Sequence, residues 1–272
     1  MRHFYFKSQS GEIYQLRYSL DSTKAEIIIL GSSRANHHYV PETIEQEVDL
    51  TCFNTGVDAN FLLNSCAIYK SIVQRYNPSI ILLDINLNEL LSGTGGYDEL
   101  SSLLPYYREK VEIREIVLMK SKFEKLKLAS EIYPFNSALL AIAEGTLLKR
   151  NINEPNGYIP LYGNLKDTAL RFDQRKENVV DGDRIAVLSE IASDCRERDI
   201  RLILIQSPRY IKAHQEMIVP ILDSLALVYN LEFWDYSNTP MFLNAVYFND
   251  QEHLNDLGAH TFTKVISDRL LE

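Results

Sequence analysis

Cysteine is scarce in this chain: Cys52, Cys66 and Cys195 are the three among 272 residues. An odd count excludes a fully paired set of intramolecular disulfides, and no two have the spacing of a metal-ligand pair. All three stand in apolar or helical contexts, which favours buried free thiols. Basic charge is also short. Lys and Arg number 28 against 37 Asp and Glu, a formal charge of −9. That argues against an electrostatic nucleic-acid binder, which needs a basic face. No stretch approaches the roughly 20 consecutive apolar residues of a membrane-spanning helix. The start, Met1-Arg2-His3-Phe4-Tyr5-Phe6-Lys7, lacks the long apolar core of a secretory signal. Any anchor or signal would precede Met1. Internal repeats and low-complexity tracts are missing as well.

What is present is an alternation of apolar runs and helical patterns. Glu26–Leu30, Ser79–Asp84, Arg201–Gln206 and the shorter Leu231–Trp234 read as strands, with Thr51–Asn54 a weaker fifth. The runs are continuous rather than alternating, as in strands of a parallel sheet covered by helices on both faces. Pro41–Val48 opens on proline, a favoured first helical residue. Phe61–Tyr76 and Asp183–Arg198 carry apolar residues at helical spacing, and Asn77-Pro78 ends the first of them. The last helix spans Asp256 to Leu270, with Asn255 as its N-cap. This order predicts one doubly wound α/β domain over residues 1–272, a three-layer αβα sandwich around a mostly parallel five-stranded sheet. The segment from about 92 to 180 breaks the rhythm. It predicts a largely helical insertion over one edge of the sheet, with helices at Glu109–Lys127 and Ser137–Arg150 and a loop from Asn151 to Gly163.

Open α/β sheets place their sites beyond the carboxyl ends of the strands. Ser32-Ser33 follows the first strand, Asn54-Thr55-Gly56 the second, and Asp84-Ile85-Asn86 closes the third. Near the far end of the chain comes Asp250-Gln251-Glu252-His253-Leu254-Asn255. A serine needs a base to become a nucleophile, and the base needs a group to orient it. Each piece has a bland reading when taken alone. Gly31-Ser32-Ser33 serves as a helix cap, Asp250-x-x-His253 as a turn before the last helix, and Asn86 as a turn former. Found together and in this order, they favour catalysis. The elbow Gly-x-Ser-x-Gly is not met, because Ala35 stands at its second glycine.

These blocks resemble the SGNH hydrolases, the superfamily of GDSL esterases and lipases. Gly31-Ser32-Ser33 is similar to the first block, with Ser32 in place of the usual aspartate. Gly56 corresponds to the second-block glycine and Asn86 to the third-block asparagine, although Asp84 replaces the glycine usual two residues before it. Asp250-Gln251-Glu252-His253-Leu254 matches the last block, with Asn255 and Gly258 following. The resemblance covers the core strands and last helix, not the insertion, and implies a flavodoxin-like fold. It implies Ser33 as nucleophile, His253 as general base and acid, and Asp250 as the group orienting His253. It also implies an oxyanion hole of the Ser33 and Gly56 backbone N–H groups with the Asn86 amide. The glycine at 56 is expected to spare the substrate from a crowding Cβ.

No cofactor and no metal is expected. His37, His38, His253 and His260 lack the i, i+4 spacing of a helical zinc motif. Arg34, beside the nucleophile, is a candidate contact for an anionic or polyhydroxyl substrate, and a surface ion pair is the competing reading. Tyr158, Tyr162 and Phe172 are candidates for lining a sugar cleft, against ordinary packing of the insertion. The implied activity is a serine esterase or acyltransferase on O-acyl, most often O-acetyl, esters of a carbohydrate or cell-envelope polymer. The Gly-Ser-Ser opening and the long insertion resemble the envelope branch of the superfamily, which includes proteins of teichoic-acid D-alanylation and alginate acetylation. That branch implies an acylated carbohydrate or small ester as substrate, a membrane acyltransferase as partner, and a cell-envelope or periplasmic location; a cytoplasmic one stays open. Two other readings also stay open: a non-catalytic binding or assembly module on the same scaffold, and a lipase or lysophospholipase. The chain shows no extended apolar lid to favour the lipase.

Overall fold

Five short strands pair in parallel in the order β2-β1-β3-β4-β5. They are β1 (Ile27–Leu30), β2 (Cys52–Asn54), β3 (Ile80–Asp84), β4 (Arg201–Gln206) and β5 (Glu232–Asp235). The structure is a computed structural model, and it describes residues 1–93, 95–139, 142, 155–166, 169, 179–210 and 218–272. Strands of three to six residues hold little stability of their own. Burial fixes them, at roughly 1.5–3 kcal/mol for each fully buried Ile or Leu.

Successive side chains enter opposite cores, as strand geometry requires. Ile28, Leu30, Ile81, Leu83, Leu202 and Leu204 face the larger core. Ile27, Ile29, Ile80, Leu82, Ile203 and Ile205 face the smaller one. Helices Leu62–Val73 and Gly182–Glu197 cover the larger core with Cys66, Ile72, Leu188 and Cys195. The last helix, Asp256–Leu270, and Pro41–Val48 cover the other with Phe262, Ile266 and Ile44. The result is the three-layer α/β sandwich that the sequence predicts. All three cysteines are buried and free. No helix among the described residues is long and apolar enough to cross a membrane.

The insertion departs from expectation in detail. An antiparallel bridge between Leu91 and Val180, with Ser92 N donating to Val179 O at 2.7 Å, draws its ends together. Its Leu100, Leu103, Leu104, Tyr106 and Ile113 do not ride over a sheet edge. They enter the larger core alongside Ile13, Leu16 and Leu20 of the helix Gly11–Asp21. The expected helix Glu109–Lys127 is broken into Arg114–Leu118 and Glu124–Lys127. Ser121 interrupts it: its carbonyl accepts from Glu124 N at 2.9 Å and its hydroxyl donates to Glu124 Oε2 at 2.8 Å. Most of the expected helix Ser137–Arg150 and the start of the loop after it lie outside the described residues.

Candidate active site

The strand order 2-1-3-4-5 reverses direction between β1 and β3, the place where open α/β sheets build their crevice. Leu30 of β1 pairs with Leu83 of β3. Three residues beyond that pair stand Ser33 on one side and Asn86 on the other. Gly31 makes the exit from β1 possible. Its φ is +150°, and a Cβ there would meet Ala35 Cβ at 2.8 Å and Asp84 O at 2.9 Å. Ser32 then takes the N-cap position of a short helix, Ser33–His38, but its side chain makes no capping bond. Ser33 is the first helical residue, and its side chain is committed elsewhere.

The Ser33 hydroxyl lies 2.8 Å from His253 Nε2. His253 Nδ1 lies 3.0 Å from both carboxylate oxygens of Asp250. A carboxylate only accepts, so the hydrogen of the neutral ring sits on Nδ1 and the Nε2 lone pair faces the serine. The local sequence explains this geometry. Asp250 Oδ1 also accepts from Glu252 N at 2.8 Å and His253 N at 2.9 Å, closing a turn that folds the ring back over its own carboxylate. Asn255 Oδ1 accepts from Gly258 N at 2.9 Å and starts the last helix immediately afterwards. Burial works to raise the Asp250 carboxyl. The bonds from the His253 ring and from the two backbone N–H groups outweigh it and hold the carboxyl well below the usual range.

The neighbouring histidines are built in. His38 is fully buried. Its Nε2 accepts from Leu254 N at 3.0 Å, so its hydrogen is on Nδ1, which lies 3.0 Å from Ser207 Oγ. Burial first, then the nearby His253, Arg34 and His37 charges, push its pKa well down. His37 lies with Nδ1 2.7 Å from Ile159 O and Nε2 3.1 Å from Asp58 Oδ1. Its ring stands edge-on to His253, centroids 5.7 Å apart. Among the described residues no group of three or more His, Cys, Asp or Glu could hold a metal ion.

Arg34 is neither at the surface nor in a surface ion pair. It is 3% exposed, and its Nη2 lies 2.9 Å from Asp84 Oδ1. Asp84 Oδ2 accepts from the Tyr39 hydroxyl at 2.7 Å. Burial disfavours the Arg34 charge, but Asp84, with Glu252 and Glu89, more than offsets it. Arg34 is therefore a buried charge paired with Asp84 behind the nucleophile loop. Burial pushes the Glu89 carboxyl up to about 7 against the pull of Arg34.

The two remaining oxyanion candidates differ. Gly56 N already donates to Asn54 Oδ1 at 2.9 Å. Its missing Cβ is demanded by the protein and not by a substrate, since a methyl there would lie 2.4 Å from Asn36 N. Asn86 has its oxygen engaged, accepting from Asn88 N at 3.2 Å and Arg209 Nη1 at 3.5 Å. With the oxygen so engaged, its NH2 group is the part that can donate. Tyr158 is 6% exposed, packs with Val40 and Ala259, and donates to Asp256 Oδ1 at 2.9 Å. Its ring braces the last helix and its hydroxyl is spent. Tyr162 is 81% exposed. Phe172 lies outside the described residues. Sequence reasoning missed Asp58, Ser207 and Arg209. The tract Gln206-Ser207-Pro208-Arg209 closes β4 as the other signatures close β1 to β3, and the same rule would have found it.

No protein-family model matches the chain. No curated protein matches its sequence. Among solved structures, the chain is similar to a "putative acylhydrolase" from Bacteroides fragilis, with a TM-score of 0.44 and 10% identity over 93% of this chain and 90% of that one. It is also similar to a gut microbial diltiazem-metabolizing enzyme, with a TM-score of 0.35 and 15% identity over 90% of this chain. It spans 45% of that longer protein.

Proposed function

We propose that the protein is a serine esterase or O-acyltransferase of the SGNH type. The observation that carries this reading is the chain of hydrogen bonds from Ser33 through His253 to Asp250, at 2.8 and 3.0 Å. Ser33 Oγ attacks the ester carbonyl carbon as its proton passes to His253 Nε2. Asp250 orients the ring through Nδ1 and stabilises the imidazolium that forms. The tetrahedral oxyanion is met by Ser33 N–H, which in the first turn of its helix has no carbonyl four residues back, and by the Asn86 NH2 group. His253 returns the proton to the leaving alkoxide, and Ser33 is left acylated. Water or a sugar hydroxyl, deprotonated by His253, then takes the acyl group. The substrate we favour is an O-acetyl ester on a carbohydrate or cell-envelope polymer, with a membrane acyltransferase as partner. This rests on the resemblance of the four sequence blocks.

A fluorophosphonate probe tests the chemistry. Wild type and Ser32→Ala should be labelled, and Ser33→Ala should not. An acyl-ester panel on the same three proteins should follow the labelling. Labelling of Ser33→Ala, or its loss in Ser32→Ala alone, would reject Ser33 as the nucleophile. The insertion is the part we assign to acceptor choice. A cavity of about 230 Å³ opens where Val57 and Asp58, just beyond Gly56, meet Glu99, Ser102, Pro105 and Ser137 of the insertion. Narrowing it with Ser102→Leu should leave p-nitrophenyl acetate turnover within about twofold and depress turnover of an acetylated oligosaccharide tenfold or more, as expected when contacts remote from the reacting bond are lost. Equal loss on both substrates would place the cavity in folding instead.

A further inference from the structure

His37 faces an acceptor at each ring nitrogen: the Ile159 carbonyl at 2.7 Å and the Asp58 carboxylate at 3.1 Å. Neither oxygen can donate, so only the imidazolium satisfies both contacts at once. A neutral ring would turn a lone pair toward one of the two oxygens. The His37 side chain is 8% exposed. It therefore has little water available to replace a lost partner. Its two partners lie on separate segments, Asp58 two residues past Gly56 and Ile159 two past Gly157. Ile159 N in turn donates to Asn36 O at 3.1 Å.

We propose that His37 is a positioning residue: as an imidazolium it straps both segments to the helix that begins at Ser33 and stands as a fixed charge beside the His253 ring. The inference rests on the reading of Ser33, His253 and Asp250 given above. Other charges facing the pair are Asp58 from the loop, Asp250 from the turn before the last helix, and Arg34 from the helix of His37 itself. His38 is buried and neutral by its bonds. From the 155–163 segment the facing group is the Ile159 carbonyl; the Tyr158 hydroxyl is kept protonated by burial and by Asp256. Asp58 raises His37 against the opposing effect of burial, and His37 lowers Asp58. The His37 and His253 ring centroids are 5.7 Å apart. Glutamine at 37 removes a cation beside that ring and asparagine at 58 removes an anion, so the two variants change the field there in opposite senses.

The test is ring-nitrogen NMR of the histidines through a pH titration, with the pH profile of kcat/KM on p-nitrophenyl acetate measured in parallel. In wild type both His37 nitrogens should carry hydrogen at pH 7. In His37→Gln, His253 should take up its proton at higher pH, and the acidic limb should move up by about half a pH unit or more. In Asp58→Asn both should move down. A purely structural role would lower activity and leave both midpoints in place. A wild-type His37 with one bare nitrogen at pH 7 would overturn the proposal without any variant, as would identical midpoints in all three proteins. The wild-type spectrum decides the matter even if a variant fails to fold. An active Ser33→Ala would overturn the reading of the site instead, and the ring titrations would still judge His37.

Discussion

Replacing Gly56 with alanine should damage both activity and stability, and the structure sets the scale. An added Cβ would lie 2.4 Å from Asn36 N and 2.9 Å from Ala35 Cβ, where ordinary contact begins at 3.4 Å. Something must move by about 1 Å to restore van der Waals separation. The loop cannot retreat freely. Gly56 O accepts from Gln15 Nε2 and from Asn36 Nδ2, each at 2.6 Å, and Gly56 N is held by Asn54 Oδ1 at 2.9 Å. The yielding element is therefore the helix that begins at Ser33. A shift of that size opens the 2.8 Å contact between Ser33 and His253 beyond hydrogen-bond range. Misplacement by about 1 Å costs about 10²-fold in rate, and overpacking of this kind costs about 1–3 kcal/mol. The assays are kcat/KM on p-nitrophenyl acetate and the urea midpoint. Alanine keeps the backbone N–H, so the loss cannot come from a deleted oxyanion donor. A variant with wild-type rate and midpoint would refute the reasoning, because the helix and loop would then tolerate a methyl that the geometry excludes.

Asp250→Asn presents an NH2 or a carbonyl oxygen to His253 Nδ1 and removes the charge that holds the tautomer, so kcat should fall by about 10⁴-fold. The stability difference between wild type and this variant should be largest above pH 5 and vanish on acidification. The Asp250 carboxyl is depressed in the fold, so its contribution is present above the unfolded value of about 3.9 and is lost as pH falls through the folded one. Urea midpoints from pH 6 to pH 3 should show the gap beginning to close at the acid end, and a gap that widens in acid would contradict the sign. Arg34→Met strands the Asp84 carboxylate in the core and should cost about 3–5 kcal/mol, with Asp84→Leu added in the double variant recovering much of it. A double-mutant cycle by urea denaturation reads the coupling, and additive losses would argue against a tight pair.

Much of the frame was legible because burial on both faces leaves a plain trace. The runs around Ile27–Leu30, Ile80–Asp84 and Arg201–Gln206 are apolar without alternation, and they are the central strands. Asn255 announced its helix because a cap uses a side chain that the sequence names. The helix Ser33–His38 was not legible. Six residues with no side-chain cap carry no pattern of their own, and the Gly31 turn together with the bond from Ser33 to His253 fixes them instead. The juxtaposition of Ser33, His253 and Asp250 could be read because their spacing encodes a local turn and a strand exit. The fates of Arg34, Gly56 and Tyr158 could not. Each depends on a partner distant in sequence: Asp84, Asn36 with Asn54, and Asp256. The insertion was misplaced because its apolar residues satisfy either an edge or a core, and contact with the Leu62–Val73 helix decides for the core.

Three histidines within one side chain of each other meet three different sets of partners at their ring nitrogens. His38 accepts a backbone N–H at Nε2 and must be neutral. His37 meets an oxygen acceptor at both nitrogens, which favours the charged ring. His253 has a carboxylate at Nδ1 and a hydroxyl at Nε2, a group that can either donate or accept. Only the last arrangement sets a carboxylate at one ring nitrogen and a hydroxyl, which can both donate and accept, at the other. The Leu254 N–H held by His38 fixes the backbone next to that ring, and the strap at His37 fixes the loops around it. The residues flanking the serine, which first suggest metal ligands or a substrate rim, are in this way committed to bonds within the protein around His253.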